Sequence, residues 1–176
     1  MTVSSDRLRR AESLIRDVPD YPEPGVLFRD ITPLLADADG FAAVIEAMAE
    51  PVAGADVVVG VEARGFLLGA AVALAAKRGV VPIRKAGKLP KVAVRREYQL
   101  EYGTATLELA EGGITPGSRV YLVDDVLATG GTLRASCELV EQAGGSVAGI
   151  GVLLELRALG GRERLGTVPL HALLAG

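Results

Sequence analysis

The chain has 176 residues, enough for one ordinary domain with a real core, and 49% of them are apolar. The formal net charge of −3 provides no overall basic field and therefore argues against binding of nucleic acid. A single cysteine, Cys137, and a single histidine, His171, exclude a disulfide framework and a tetrahedral Cys/His zinc site. No secretory h-region or apolar run of ~18 residues is present, so we expect a cytoplasmic protein without membrane association.

The first half of the chain is predicted to contain two helices and then a strand–helix–strand unit. Apolar spacing predicts an amphipathic helix over residues 6–16 and a second helix over residues 41–50. Residues 17–30 lie between them and contain several prolines, which predicts an irregular turn. Residues 55–85 are typical of a buried strand, an alanine-rich helix and another strand.

The second half alternates between strands and helices. Residues 91–112 alternate apolar and polar side chains, which predicts a half-exposed antiparallel ribbon. Further strands are expected over residues 119–124 and 146–156, with a helix over residues 131–143 between them. The pattern predicts an α/β fold, a mainly parallel twisted sheet with helices on both faces. Ligands of such folds bind at the carboxyl ends of the strands.

Residues 120–132, VYLVDDVLATGGT, carry the most specific chemistry. The apolar strand ends in two carboxylates that can accept hydrogen bonds from sugar hydroxyls. The glycines that follow allow close approach of backbone N–H groups to an anion at the start of a helix. Together these features indicate a ribose phosphate site. The bland alternative is a βα turn with a threonine N-cap and surface acids; a Walker loop is excluded because the GK[ST] ending is absent.

This segment resembles the binding motif for phosphoribosyl pyrophosphate (PRPP) of the type I phosphoribosyltransferases. The resemblance implies that Asp124 and Asp125 hold the ribose hydroxyls. It also implies that the next loop holds the 5′-phosphate. The residues of that loop are Ala128, Thr129, Gly130, Gly131 and Thr132.

Two further segments resemble the parts of these enzymes that bind diphosphate. In VEARG, Arg64 could fork onto an anion, or alternatively cap a helix or pair with Glu62. The basic string RKAGKLP is either a solvated loop or a partner for a polyanion, and the resemblance implies contacts from Arg84, Lys85 and Lys88. One such cation is often donated across a dimer interface in this family, which implies a homodimer. The family also implies a cis peptide bond between Glu62 and Ala63.

The string PEPGVLFRD resembles the base-binding segment of the adenine-specific members of this family. There Phe28 would stack on the base, and neighbouring backbone groups would contact the purine edge. The base-side residues are Val26, Leu27, Phe28 and Arg29. The C-terminal string ELRALGGRERL also resembles these enzymes and implies that Glu155 and Leu156 lie near the base.

The string REYQLEYGTATLEL resembles the flap of the same family, whose glutamate acts on the leaving or entering base. That glutamate is Glu101, and Tyr102 follows it. By itself, a charge in an exposed ribbon would be unremarkable. We therefore expect one domain over residues 1–176, with an N-terminal hood over about 1–35 and a flexible antiparallel flap over about 87–110.

The implied reaction joins adenine and PRPP to give AMP and diphosphate, as in purine salvage. Mg²⁺ is expected on PRPP oxygens and waters, without direct protein ligands. Two alternatives stay open: transfer to another base, and a non-catalytic regulator that senses PRPP and binds nucleic acid. Cys137 is expected to be a small buried residue of a helix, and His171 is not expected to be catalytic.

Overall fold

The structure, a computed structural model, describes residues 3–99 and 103–176. Contacts divide the chain into two compact units, Met1–Ala47 and Met48–Gly176. In the parts of the chain that the structure describes, no helix is both long and apolar enough to cross a membrane.

The first unit contains short helices and a two-stranded ribbon. Its elements are α1 (Ser5–Ser13), β1 (Arg16–Pro19), β2 (Leu27–Asp30), α2 (Thr32–Ala36) and α3 (Ala38–Ala49). Ser4 caps α1 by accepting a hydrogen bond from Arg7 N–H at 3.4 Å. Helix α1 ends earlier than predicted, because Leu14 is its C-cap and strand β1 begins at Arg16.

The prediction of an irregular segment over residues 17–30 is wrong. Strands β1 and β2 pair in antiparallel fashion, with Val18 opposite Phe28 and Pro19 opposite Leu27. Pro19 is tolerated because it is the last residue of its strand in a two-stranded ribbon. The other prolines, Pro22 and Pro24, lie in the connecting turn, where no ladder hydrogen bond is needed.

The second unit is built on a seven-stranded sheet of order β5-β6-β4-β3-β7-β8-β9. Its elements are β3 (Val57–Val61), α4 (Arg64–Ala75), β4 (Gly79–Lys85), β5 (Val92–Gln99), β6 (Thr104–Ala110), β7 (Arg119–Leu127), α5 (Gly131–Gln142), β8 (Ser146–Glu155), α6 (Gly161–Arg164) and β9 (Leu170–Ala175). Short 3₁₀ turns lie at Glu50–Val52 and Arg157–Leu159. Five strands pair in parallel, in the order β4, β3, β7, β8 and β9, and β6 and β5 extend the sheet beyond β4 in antiparallel fashion.

The connections of the sheet place a ligand site between β3 and β7. The crossover through α4 runs from β3 outward to β4, whereas the crossover through α5 runs from β7 outward to β8. Because such crossovers are right-handed, these two helices cover opposite faces of the sheet. The predicted fold class is therefore confirmed. The strand order reverses between β3 and β7, which is the switch point where open α/β sheets bind ligands.

The antiparallel ribbon predicted over residues 91–112 is formed by β5 and β6, but its inner strand also belongs to the main sheet. Strand β6 pairs with β4, and Leu107 and Leu109 are both 1% exposed. Glu108 lies between them and is also buried, at 3% exposure. The alternation of apolar residues did not indicate this buried carboxylate.

Candidate active site

The carboxyl ends of β3 and β7 bring two of the predicted segments together. Gly60 of β3 lies opposite Val123 of β7, so the chain leaves the two neighbouring strands side by side. Helix α4 then begins at Arg64, directly against β7. A Cβ on Gly65 would lie 2.8 Å from Asp124 Oδ1, so a glycine is required for this close approach.

Asp124 and Asp125 form a buried carboxylate pair, with 8% and 6% exposure. Asp125 N–H donates to Asp124 Oδ1 at 2.9 Å. Arg64 Nη2 lies 2.7 Å from Asp125 Oδ2, although that oxygen receives no well-directed hydrogen bond. We regard the contact as an ion pair, since charge attraction depends on distance more than on direction. Among residues 3–99 and 103–176, the charged partner found for Arg64 is Asp125, which differs from the alternative pairing with Glu62.

Burial, together with the neighbouring charge of Asp125, raises the pKa of Asp124 well above its ordinary value. Burying two adjacent carboxylates costs folding free energy unless a ligand or a cation binds them. This cost argues against the bland interpretation of the segment, which required acids on the surface.

The loop after β7 forms a small cavity of about 80 Å³, lined by Asp124 and residues 126–133. Gly130, with φ +82°, is the N-cap of α5 and provides no side-chain cap, so a glycine takes the place of the threonine N-cap of the bland interpretation. The loop presses on the backbone of Gly161: a Cβ on Gly130 would lie 2.5 Å from Gly161 O, and a Cβ on Gly161 would collide with Ala128 O. The loop is therefore held in shape by the segment that begins α6.

Two residues near this loop were missed by the sequence analysis. Tyr98 of β5 shares a hydrogen bond of 3.2 Å with Thr132 Oγ1. Arg164 Nη1 lies 3.7 Å from the position that a Cβ on Gly131 would take. The only signal for Tyr98 was its place in the alternating ribbon, and Arg164 had none because its approach depends on the chain returning through α6.

The basic segment, residues 84–90, begins at the end of β4 and surrounds Glu62, the residue that follows β3. Lys85 N–H donates to Glu62 Oε2 at 2.9 Å, and Arg84 Nε lies 3.4 Å from the same oxygen. Lys88 Nζ pairs with Glu62 Oε1. The peptide bond between Glu62 and Ala63 is cis, as the resemblance implied. These contacts argue against the interpretation of the segment as a simple solvated loop.

Glu108 fixes the turn of the same basic segment. Its Oε2 accepts a hydrogen bond from Gly87 N–H at 3.0 Å, and its Oε1 lies 3.4 Å from Arg95 Nη2. In the strand register, Glu108 stands opposite both Arg84 and Arg95. A buried carboxylate therefore supports the segment from the sheet.

In the first unit, the predicted base-side residues occupy the start of β2 and the turn before it. Val26 and Leu27 are 43% and 50% exposed. The Phe28 ring is half-buried and packs edge-to-face on Tyr21, with ring centroids 5.2 Å apart. Arg29 Nε lies 2.8 Å from Asp17 Oδ1.

At the end of β8, Glu155 is 5% exposed and receives two hydrogen bonds from Arg162, at 2.9 and 2.6 Å. The hydrogen bonds from Arg162 lower the pKa of Glu155 in spite of its burial. Leu156 N–H donates to Leu127 O at 2.9 Å, which ties this segment to the end of β7. Glu101 and Tyr102 lie outside the described residues.

Cys137 and His171 were not expected to take part in catalysis. Cys137 is 1% exposed on α5, and burial raises the pKa of its thiol to about 11, so it is the small packed residue that was predicted. His171 is exposed on β9, with its ring 6.3 Å from that of Tyr121.

Known proteins resemble the whole chain. Residues 34–166 match the phosphoribosyl transferase domain family. The adenine phosphoribosyltransferase of Saccharopolyspora erythraea is 62% identical, covering 95% of this chain and 91% of the relative. That of Thermobifida fusca is 53% identical, covering 97% of this chain and 98% of the relative.

Solved structures agree. The adenine phosphoribosyltransferase of Rhodothermus marinus has a TM-score of 0.92 at 47% identity, covering 98% of this chain and all (100%) of the other. That of Saccharomyces cerevisiae, complexed with an imino-altritol bisphosphate and adenine, has a TM-score of 0.91 at 37% identity, covering 97% and 100%. The chain therefore belongs to the phosphoribosyltransferase family and, within it, to the adenine phosphoribosyltransferases.

Proposed function

We propose that the chain catalyses the reaction of its relatives, in which adenine and PRPP give AMP and diphosphate. The observation that best supports this reaction is the buried carboxylate pair, Asp124 and Asp125, next to a glycine loop at the switch point of the sheet. A yeast relative of the same fold is described in complex with adenine and a bisphosphate of a sugar analogue. The enzyme is a transferase of the glycosyl class.

In this proposal, the two aspartates accept hydrogen bonds from the ribose hydroxyls of PRPP. The loop over residues 128–132 offers backbone N–H groups and threonine hydroxyls to the 5′-phosphate. Arg64 and the basic segment receive the diphosphate, whose negative charge grows as the bond to the ribose breaks. Fixed cations next to a developing anion supply a large part of catalysis in such reactions.

Mg²⁺ is proposed as the cofactor. Among residues 3–99 and 103–176, no group of three or more His, Cys, Asp or Glu side chains is arranged to hold a metal. The Asp124 and Asp125 carboxylates are proposed to hold the ribose hydroxyls of PRPP, so the residues fit an ion whose own ligands would be PRPP oxygens and waters. When bound, Mg²⁺ would supply positive charge against the diphosphate.

On the base side, we propose that Phe28 stacks on adenine and that backbone groups of Leu27 and Arg29 pair with its polar edge. Glu101 would exchange the proton on N7 of the base, with Tyr102 beside it in the chain. Val26 completes the segment, and both of its backbone groups already serve the turn, with Tyr21 and Glu23. The role of Glu101 is supported by sequence alone.

Base choice provides the test of the proposed substrate. Adenine presents an amino donor and an N1 acceptor, whereas hypoxanthine and guanine present an oxo acceptor and an N1–H donor. Each buried group left unpaired costs about 1–3 kcal/mol, so we expect kcat/KM for adenine to exceed that for hypoxanthine by at least about tenfold. The 6-oxopurine enzymes typically place a lysine beside the base, and this chain has no lysine after Lys91.

The measurement is kcat/KM for adenine, hypoxanthine and guanine with the same PRPP and Mg²⁺, with diphosphate release as the readout. Comparable values for adenine and hypoxanthine would contradict the adenine assignment and leave the PRPP site standing. Release of no diphosphate with any base would contradict transfer altogether and favour a regulator.

A homodimer is also proposed. Leu67 and Leu74 lie two turns apart on α4 and are 55% and 81% exposed, and Val80 of the next strand is 45% exposed. Exposed aliphatic side chains on one face of a helix, such as Leu67 and Leu74, are typical of a surface that a partner covers. Sedimentation velocity of the purified chain should give a dimer at micromolar concentration, and Leu74→Glu should shift it toward monomer. A wild-type monomer at that concentration would count against the proposal.

We further propose that residues 1–176 act as one catalytic domain in purine salvage and that the enzyme works in the cytoplasm. A reducing compartment suits a chain with one buried free thiol, Cys137.

A further inference from the structure

Glu62 is a buried carboxylate among the residues proposed to bind an anion. Its side chain is 7% exposed, and it follows directly after β3. Of its two oxygens, Oε2 faces Lys85 N–H and Arg84 Nε, and Oε1 faces Lys88 Nζ. One carboxylate thus contacts three residues of the basic segment.

The position is unexpected on charge alone, because a carboxylate repels diphosphate. Hydrogen bonds from Lys88 and from Lys85 N–H lower the pKa of Glu62, although burial is the largest single influence and acts in the opposite direction. Glu62 is therefore ionised at neutral pH. The negative charge of Glu62 is balanced by its ion pairs with Arg84 and Lys88 of the same chain.

The ion pairs with Glu62 hold the side chains of Arg84 and Lys88 in fixed positions. Arg84 and Lys88 are long side chains, and their side chains are 34% and 44% exposed. Fixing a side chain of this kind at a binding site costs conformational entropy, which weakens binding by about two- to tenfold for each side chain. A buried acceptor that already holds both, together with the backbone between them, removes part of that cost before the ligand arrives.

We infer that Glu62 is a positioning residue that orders Arg84, Lys85 and Lys88 for the diphosphate group of the substrate. The inference rests on the proposed role of those three cations. Glu62 touches neither ribose nor base in this account, so its effect is specific to diphosphate. In the proposed function, the ribose is held by the aspartates of β7 and the 5′-phosphate by the loop after it, and neither set includes Glu62.

The test compares diphosphate with AMP as ligands of the purified, full-length enzyme. AMP contains the base, the ribose and the 5′-phosphate but lacks the diphosphate group. Diphosphate contains only the group that Glu62 is inferred to affect. Dissociation constants are measured by calorimetry with Mg²⁺ present, for wild type, Glu62→Ala, Glu62→Gln and the control Glu141→Ala. Glu141 is an exposed glutamate of α5, so its removal changes the net charge equally.

We expect Glu62→Ala to weaken diphosphate binding about tenfold, because two long side chains, Arg84 and Lys88, lose the acceptor that orders them. AMP binding should change less than about twofold. Glutamine keeps an acceptor for Lys85 N–H and loses the ion pairs, so Glu62→Gln should fall between, at about threefold. Steady-state kinetics should show the same division, with a higher KM for PRPP and an unchanged KM for adenine.

Unchanged or tighter diphosphate binding in both variants would overturn the inference. An equal loss of AMP affinity would also overturn it, because Glu62 would then support the fold in general. If Glu62→Ala does not fold, the glutamine variant decides the matter by the same comparison. A wild-type enzyme that binds neither AMP nor diphosphate would instead refute the proposed function.

Discussion

Replacement of both β7 aspartates, Asp124→Asn with Asp125→Asn, is expected to raise the KM for PRPP by about two orders of magnitude. Each carboxylate is proposed to accept hydrogen bonds from a ribose hydroxyl, and hydrogen bonds to charged groups contribute about 1.5–3 kcal/mol. Asparagine preserves the size of both side chains. Steady-state kinetics with varied PRPP measures the effect, and Asp56→Asn is a matched control on a carboxylate that accepts from Arg119 N–H away from the loop. Wild-type PRPP affinity in the folded double variant would contradict the assignment.

The single variant Asp124→Asn should be more stable than the wild type at neutral pH while binding PRPP less well. Because the folded-state pKa of Asp124 is raised, its contribution to stability is fully present below the ordinary Asp pKa of about 4 and is lost as pH rises through the raised value. Asparagine does not titrate. The difference in Tm between variant and wild type should therefore grow from pH about 4 to about 8, and a gain of 1 kcal/mol corresponds to about 2–4 °C. A difference in Tm that stays constant with pH would contradict a raised pKa of Asp124 in the folded state.

Glu101→Gln is expected to lower kcat by about 10²–10⁴-fold and to leave PRPP binding close to normal. Glutamine keeps the size of the side chain and removes the group proposed to exchange the N7 proton, a contribution of that order in general acid–base catalysis. Glu97→Gln, in exposed β5 of the same ribbon, is the matched control and should keep the wild-type kcat. Single-turnover measurements ensure that the chemical step is observed. An unchanged rate of that step would mean that the flap only covers the site.

Local patterns were enough to predict the sheet and to place the candidate site at the carboxyl ends of its strands. The apolar runs before Glu62 and Asp124 predicted buried parallel strands, and their carboxyl ends do meet at the switch point. The glycines after β7 predicted the start of α5 to within the observed boundary at Gly131. These features depend on residues that are consecutive in the chain, so they can be predicted from the sequence alone.

Partners across strands could not be predicted in the same way. Glu108 is buried because β6 pairs with β4, and Glu62 meets Lys88 because β3 lies beside β4. Both pairings depend on register between distant segments, and a lone glutamate in a strand pattern gives no sign of it. The ribbon of β1 and β2 was missed for a related reason. The number of prolines in residues 17–30 predicted irregular structure. What decides whether a proline is tolerated is its position, and these prolines lie at a strand end and in a turn.

The contact of Gly130 with Gly161 limits how far the loop after β7 can be treated as a portable motif. Transplanting residues 120–132 into another α/β scaffold would carry over the aspartates, the threonines and the helix start. It would leave behind the backbone of Gly161, which lies so close to Ala128 O and to Gly130 that neither Gly130 nor Gly161 has room for a Cβ. A designer would have to transfer both segments together, and glycine at position 161 would be as strict a requirement as glycine at position 130.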